Sequence, residues 1–281
     1  MPHYRLLAID IDGTLLTSGN ELTDATCSAL RRATAAGIHV VLATGRRYSR
    51  TLHLVEPLGL TVPLVTASGA LVKDPADHRT LYRARFEPAA LCSVLHAMDE
   101  QGYHPIVCAD TFSEGFDFYT SGAEVTSEEL REYFGKNPDA GRVDAQLLHR
   151  PPENTFCTFT MGTHDQMLKL EEHLLHRLPG KLHAHVLRSP LYAGFMCEVA
   201  PAGVTKWSAI HRLARQWGIA DGEVCAVGDD VNDIPMIRAA GLGVAMGNAV
   251  PSVKAVAARI APTQDENGLA EVVQWLLDGP C

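Results

Sequence analysis

The chain has 281 residues, enough for about two domains at roughly 150 residues each. Its 46% hydrophobic and 20% charged residues are an ordinary globular mixture, which excludes disorder, collagen and coiled coil. Twenty-four basic residues against 33 acidic leave a net charge of −9, unsuited to an extended phosphate backbone, so no nucleic-acid partner is expected.

No apolar run approaches the roughly 20 residues that cross a bilayer, so no membrane partner is expected. Asp10 and Asp12 interrupt the N-terminal apolar stretch, which therefore does not read as a signal peptide. Seven cysteines form no Cys-x-x-Cys pair and read as buried thiols of a cytoplasmic protein.

Residues 4–11 form an apolar run ending at a turn with Gly13, the pattern of a fully buried strand. Over 22–36, Leu22, Ala25, Ala29, Leu30 and Ala33 fall near helical spacing, and the segment stops at Gly37. A second strand is expected over 38–43, a second helix over 47–58 and a third strand over 63–66. This alternation predicts βαβ units and a doubly wound, Rossmann-like parallel sheet of the α/β class. The pattern returns as helix 204–217, strand 224–227, helix 232–240, strand 243–246 and helix 269–277.

Between these stretches, beyond the turn-rich 73–77, the pattern changes. It reads as strand 81–86, helix 88–101, strands 104–109 and 115–119, and helix 126–134. Strand 155–161, helix 164–178 and strand 181–188 follow. The reading is an α+β unit over 83–189, inserted into a parallel-sheet domain made of 1–82 and 190–281.

Ligands of open α/β sheets bind beyond the carboxyl ends of the strands. Asp10-Ile11-Asp12-Gly13-Thr14 follows the first strand and Thr44-Gly45-Arg46 the second. Gly228-Asp229-Asp230-Val231-Asn232-Asp233 follows the strand at 224–227. Each segment alone is turn or helix-cap punctuation; together they bring several carboxylates to one edge. Carboxylates without matching arginines repel, by roughly 4 kcal/mol at about 4 Å and a dielectric near 20. Such a site calls for a cation, and hard oxygen ligands point to Mg²⁺. A carboxylate can itself attack phosphorus, provided positive charge offsets the repulsion. Mg²⁺ and Lys206, near the start of the 204–217 helix, are candidates for that charge. A second carboxylate two residues later can protonate the leaving oxygen and then take a proton from water.

Asp10-x-Asp12-Gly13-Thr14, Thr44-Gly45-Arg46, Gly203-Val204-Thr205-Lys206 and Gly228-Asp229-x-x-Asn232-Asp233 resemble the four ordered motifs of haloacid dehalogenase-like (HAD) hydrolases. Ala245-Met246-Gly247-Asn248-Ala249 and Glu266-Asn267-Gly268-Leu269 resemble the Cof-type branch, whose type IIB cap belongs where the 83–189 insert stands. The resemblance implies an Mg²⁺-dependent phosphatase that forms an aspartyl-phosphate on small phosphomonoesters. It implies Asp10 as nucleophile, Asp12 as general acid/base, Thr44 and the Gly45 amide on the phosphate oxygens, and Lys206 against the transferring group. Mg²⁺ would be held by Asp10, the Asp12 carbonyl and Asp229, with Asp233 in support, and Asn232 and Asn248 would lie close to the phosphate. Two positions depart from the family pattern. Ser68 stands where many relatives carry Asn-Gly-Ala and is expected to alter a contact near the substrate. Asp230 is an added carboxylate, expected as a solvated turn residue.

Other candidates carry less. His183 with His185, and His173 with His176, lack the further ligands zinc needs and are expected to be partly exposed. Gly-x-Ser-x-Gly and the phosphate loop of NTPases are absent. Phe112, Phe116, Phe118 and Tyr119 at strand spacing predict a packed face. The insert carries net −6 against −3 elsewhere, which suits a small ester with a neutral or mixed body: a sugar, nucleotide-derived or cofactor phosphate. The alternatives are a phosphosugar mutase of the same superfamily and a catalytically silent binding or regulatory protein. Intact Asp10, Asp12, Lys206, Asp229 and Asp233 count against silence. A monomer or small homo-oligomer is expected.

Overall fold

The computed structural model describes residues 3–59, 61–123, 125, 127–188 and 191–279. The chain opens with β1 (Leu6–Ile9), α1 (Asp24–Ala35), β2 (His39–Leu42), α2 (Val55–Leu58), β3 (Leu64–Thr66), β4 (Leu71–Lys73) and β5 (Thr80–Arg83). It continues with α3 (Pro88–Glu100), β6 (Ile106–Ala109), β7 (Phe118–Thr120), α4 (Glu128–Gly135), β8 (Gly141–Val143) and β9 (Thr155–Gly162). Next come α5 (His164–Arg177), β10 (Leu182–Arg188), β11 (Phe195–Pro201), α6 (Lys206–Gln216) and β12 (Val224–Gly228). The last elements are α7 (Ile234–Ala239), β13 (Leu242–Ala245), α8 (Pro251–Lys254), β14 (Arg259–Ile260) and α9 (Gly268–Asp278). Two compact units result: Met1–Tyr82 with Thr205–Cys281, and Arg83–Val204. No described helix is long and apolar enough to cross a membrane.

The first unit is built on a parallel sheet ordered β14-β13-β12-β1-β2. β3 continues it beyond β2 through a parallel bridge between Ala43 and Val65. Its central strands are short apolar runs because both faces are covered. Leu6, Ala8, Val41, Val224 and Ala226 pack with Ala209, Ile210 and Leu213 of α6 and with Met236 and Ile237 of α7. Leu7, Ile9, Val40 and Leu42 alternate to the other face, the side on which α1 packs on β2 and α9. From β1 the chain moves outward through β2 to β3; later it resumes at β12, on the other side of β1, and moves away through β13 and β14. That reversal makes the carboxyl ends of β1 and β12 a topological switch point, the place where such sheets bind ligands.

The second unit is a six-stranded sheet ordered β10-β11-β9-β6-β7-β8, antiparallel except for the parallel β7–β8 pair. Val94, Ala97 and Met98 of α3 and Met167, Leu170 and Leu174 of α5 pack with Leu182, Ala184, Cys197 and Val199 from the strands. Phe118 is fully buried, and its ring lies 5.7 Å from that of Tyr133 on α4. The packed aromatic face expected there is present for Phe116 and Phe118, while Phe112 and Tyr119 are half-buried.

Three expectations need correction. The unit runs to Val204, past residue 189, because β11 pairs with both β10 and β9. The run Phe195–Pro201 did not read as a strand because a glutamate, Glu198, interrupts its apolar residues. Residues 47–58 hold two 3₁₀ turns, Tyr48–Arg50 and Leu52–Leu54, followed by the short α2. Pro57 is tolerated only in the first turn of a helix, so a helix reaching Leu58 cannot begin far upstream. His185 is buried rather than partly exposed, since Glu198 stands opposite it with Oε1 3.2 Å from Nε2. Thr126, Ser189, Pro190 and Cys281, where the expected start of a helix, a boundary and a thiol fall, lie outside the described residues. Among the described cysteines all are free thiols, buried except for the half-buried Cys92.

Candidate active site

β1 delivers Asp10, whose amide donates to the Val227 carbonyl at 3.0 Å. The chain then turns tightly through Ile11–Leu15, with Gly13 at φ 80°. A Cβ on Gly13 would stand 2.2 Å from Asp229 Oδ2, so only glycine lets this turn close on that carboxylate. Thr14 Oγ1 donates to Asp229 Oδ1 at 3.0 Å. β12 ends at Gly228, and Asp233 Oδ2 then accepts the Asp229 and Asp230 amides at 2.9 and 3.1 Å.

Lys206 is the first residue of α6. Thr205 caps that helix: its Oγ1 accepts the Ser208 amide at 3.1 Å, and Ser208 Oγ accepts the Thr205 amide at 3.0 Å. Lys206 Nζ donates to Asp10 Oδ1 at 2.5 Å and to Asp233 Oδ1 at 2.6 Å. An ammonium at a helix N-terminus opposes the helix dipole, so these two carboxylates hold it there. Lys206, Asp10 and Asp233 are all buried.

Carboxylate oxygens of Asp10, Asp229 and Asp233 lie within 4.8 Å of one another. Burial pushes Asp10 up to about 8; Lys206 pulls it down, while Asp233 and Asp12 add to the rise. Burial, then the charges of Asp10 and Asp233, push Asp229 up to about 9. Burial alone would lower the Lys206 pKa, but Asp10 and Asp233 outweigh it and raise it. When ionised, three carboxylates facing one ammonium leave excess negative charge, and an all-oxygen donor set with that excess fits a hard divalent cation.

Asp12 stands apart from this trio. Arg46 grips its carboxylate with a two-pronged pair, Nε to Oδ2 at 2.8 Å and Nη2 to Oδ1 at 2.6 Å, and Nη2 also donates to Asn20 Oδ1 at 2.8 Å. The reading of carboxylates without a matching arginine is therefore corrected for Asp12. Thr44 is buried, its amide on the Val65 carbonyl at 2.9 Å and its Oγ1 accepting the Arg46 amide at 3.0 Å, with Gly45 in the turn between them. Asn248 Nδ2 donates to the Gly13 carbonyl at 2.8 Å, and its Oδ1 accepts the Gln264 amide at 3.2 Å, so it fastens the turn after Asp12. Asp230 Oδ1 accepts the Val231 amide at 2.7 Å, as a turn residue does.

Asn232 Nδ2 donates to Ser68 Oγ at 3.2 Å. Sequence reasoning gave no place to this contact, nor to the pairing of Arg46 and Asn20 with Asp12. Arg46 was visible beside Thr44 and Gly45, but its partner lies 34 residues away.

The fold, with an acidic trio and a buried lysine at the switch point, defines a HAD-type hydrolase. The model of the haloacid dehalogenase-like hydrolase family matches residues 7–273, and the chain belongs to that family. It is similar to phosphatase YwpJ of Bacillus subtilis (strain 168), 31% identical over 97% of this chain and all of that protein. It is also similar to the 5-amino-6-(5-phospho-D-ribitylamino)uracil phosphatase YitU of the same organism, 26% identical over 96% of each chain. A solved haloacid dehalogenase-like hydrolase from B. subtilis superposes with a TM-score of 0.77 at 28% identity, covering 96% of this chain and 99% of that one.

Proposed function

We propose that this enzyme is an Mg²⁺-dependent phosphatase of small phosphomonoesters that works through an aspartyl-phosphate on Asp10. One observation carries the reading: a buried ammonium, Lys206, bridges Asp10 and Asp233 at 2.5 and 2.6 Å, beside the third carboxylate of Asp229. Asp10, Asp229 and the Asp12 main-chain carbonyl would hold Mg²⁺, with Asp233 in support. When bound, the ion offsets the charge of the phosphate and orients it.

An Asp10 oxygen bonds to phosphorus as the ester P–O bond breaks, and Asp12 gives its proton to the departing oxygen. A water oxygen then attacks phosphorus, Asp12 takes the water proton, and the Asp10–phosphorus bond breaks to release inorganic phosphate. Lys206 pulls the Asp10 pKa down against the effect of burial and offsets charge as the phosphoryl group approaches. The Thr44 hydroxyl, the Gly45 amide and Asn232 hold phosphate oxygens, while Asn248 acts by fixing the Gly13 turn. The Arg46 fork occupies both Asp12 oxygens, so proton donation exchanges one of those hydrogen bonds for the leaving oxygen.

The inserted unit, Arg83–Val204, is the specificity cap in this reading. Its net negative charge favours a sugar, nucleotide-derived or cofactor phosphate, and the relative named for a ribitylamino-uracil phosphate falls in that range. The described cysteines are free thiols, which fits a reducing, cytoplasmic compartment.

The test is a screen of phosphate monoesters with Mg²⁺, run beside Asp10→Ala and Asp12→Ala. Phosphate release that EDTA abolishes and either substitution eliminates is expected. Isomerised product without release would make the protein a mutase, and no turnover with undiminished ester binding would make it a binding protein.

A further inference from the structure

Ala67, Ser68 and Gly69 take φ of 46°, 48° and 99° in succession. Two of the three carry a Cβ, so this is a strained run of left-handed backbone. It lies in the interior, with Ser68 only 4% exposed. The surroundings hold it through three parts of the site. The Ala67 amide donates to the Arg46 carbonyl at 3.0 Å and the Ser68 amide to the Thr44 carbonyl at 2.9 Å. Gly69 lies so close to the start of α6 that a Cβ there would stand 2.1 Å from the Thr205 carbonyl oxygen. Asn232 Nδ2 reaches Ser68 Oγ at 3.2 Å. Residue 68 thus ties the Thr44 turn to the Asp229–Asp233 turn, against the residue that precedes Lys206.

Strain kept in place by many partners concentrates where function needs a group held in one orientation. A carboxamide anchored at one end by a hydrogen bond loses the rotamer freedom that would let it swing away from a ligand. We infer that Ser68 is a positioning residue for the reaction: its buried hydroxyl, 3.2 Å from Asn232 Nδ2, anchors the Asn232 carboxamide and thereby fixes how Asn232 meets the phosphate. The inference rests on the phosphatase reading and adds a residue to it.

Glycine separates this role from simple packing, because it adopts φ near 48° without strain but has no hydroxyl. In Ser68→Gly the relief of backbone strain and the loss of the Ser68–Asn232 hydrogen bond oppose one another, so the thermal midpoint is expected to move by no more than roughly 2–4 °C. The same change is expected to lower kcat/KM about tenfold, mainly through KM, and to weaken inorganic phosphate as a competitive inhibitor by about the same factor. Asn232→Ala should show a comparable loss, and adding Ser68→Gly to it should lower kcat/KM no further.

Wild-type kcat/KM in Ser68→Gly overturns the inference, as do losses that multiply fully in the double variant. A lower thermal midpoint together with wild-type kcat/KM would make Ser68 a packing residue. If the wild type hydrolyses no ester, the phosphatase reading fails by itself. Calorimetric binding of inorganic phosphate to the Mg²⁺-supplied wild type and Ser68→Gly then decides: about tenfold weaker binding supports the role of Ser68, and equal binding ends it.

Discussion

Asp10 and Asp12 lie two residues apart, yet each meets a different cation. Asp10 is buried against Lys206, whereas the Asp12 side chain is 24% exposed and held by Arg46. Different surroundings can give neighbouring carboxylates different tasks, and in the proposed mechanism Asp10 bonds to phosphorus while Asp12 moves a proton. Proton donation matters most when the leaving oxygen is a poor leaving group. Asp12→Asn should therefore lower turnover of an alkyl phosphate by about 10²–10⁴, and that of p-nitrophenyl phosphate far less. Steady-state rates on the two esters check this, and equal losses on both would take Asp12 out of proton transfer. Asp10, Asp12 and Lys206 stood out as candidates through short local motifs, and the structure brings Lys206 onto Asp10. The grip of Arg46 on Asp12 was not legible, since it depends on the β1 and β2 ends meeting in space. Nor was the Ser68 contact, which needs a left-handed turn at residues that are not glycine.

Among the elements, α6 joins stability to chemistry most directly. Its cap pair, Thr205 and Ser208, fixes the first turn, and Lys206 is the first residue of that turn. Thr205→Ala removes the hydroxyl that accepts the Ser208 amide and should destabilise the protein by about 0.5–2 kcal/mol. The expected signature is a lower urea midpoint with an unchanged m-value, together with reduced kcat as Lys206 loses its fixed approach to Asp10. An unchanged kcat would mean that the two carboxylates alone hold the lysine. Elements of this kind, periodic and capped, were readable to within a few residues. β11 was not, because a strand containing a buried glutamate declares itself only through the neighbours on which it pairs. For the same reason the core sheet, made of local βαβ steps, was legible while the end of the insert was not.

Across the whole molecule, the acidic trio is expected to link stability to pH and, through the proposed Mg²⁺, to metal. In the metal-free protein, burial pushes Asp10 up to about 8 and Asp229 up to about 9, while the unfolded carboxyls titrate near 4. Between those limits the folded chain binds more protons than the unfolded chain. Stability is therefore fully present at low pH and is lost as pH rises through the folded values. Each group contributes a slope of at most about 1.4 kcal/mol per pH unit. In EDTA, this site should make the thermal midpoint fall steadily from about pH 5 to about pH 9. A bound divalent cation takes over the role of those protons, so saturating Mg²⁺ should flatten the fall, and the gain it confers should grow with pH. Thermal melts in EDTA and in Mg²⁺ across that range read both effects. A gain from Mg²⁺ that is equal at the two ends would mean that Asp10 and Asp229 do not carry the ion. A midpoint in EDTA that does not fall would mean that the trio's negative charge is already balanced by Lys206 alone.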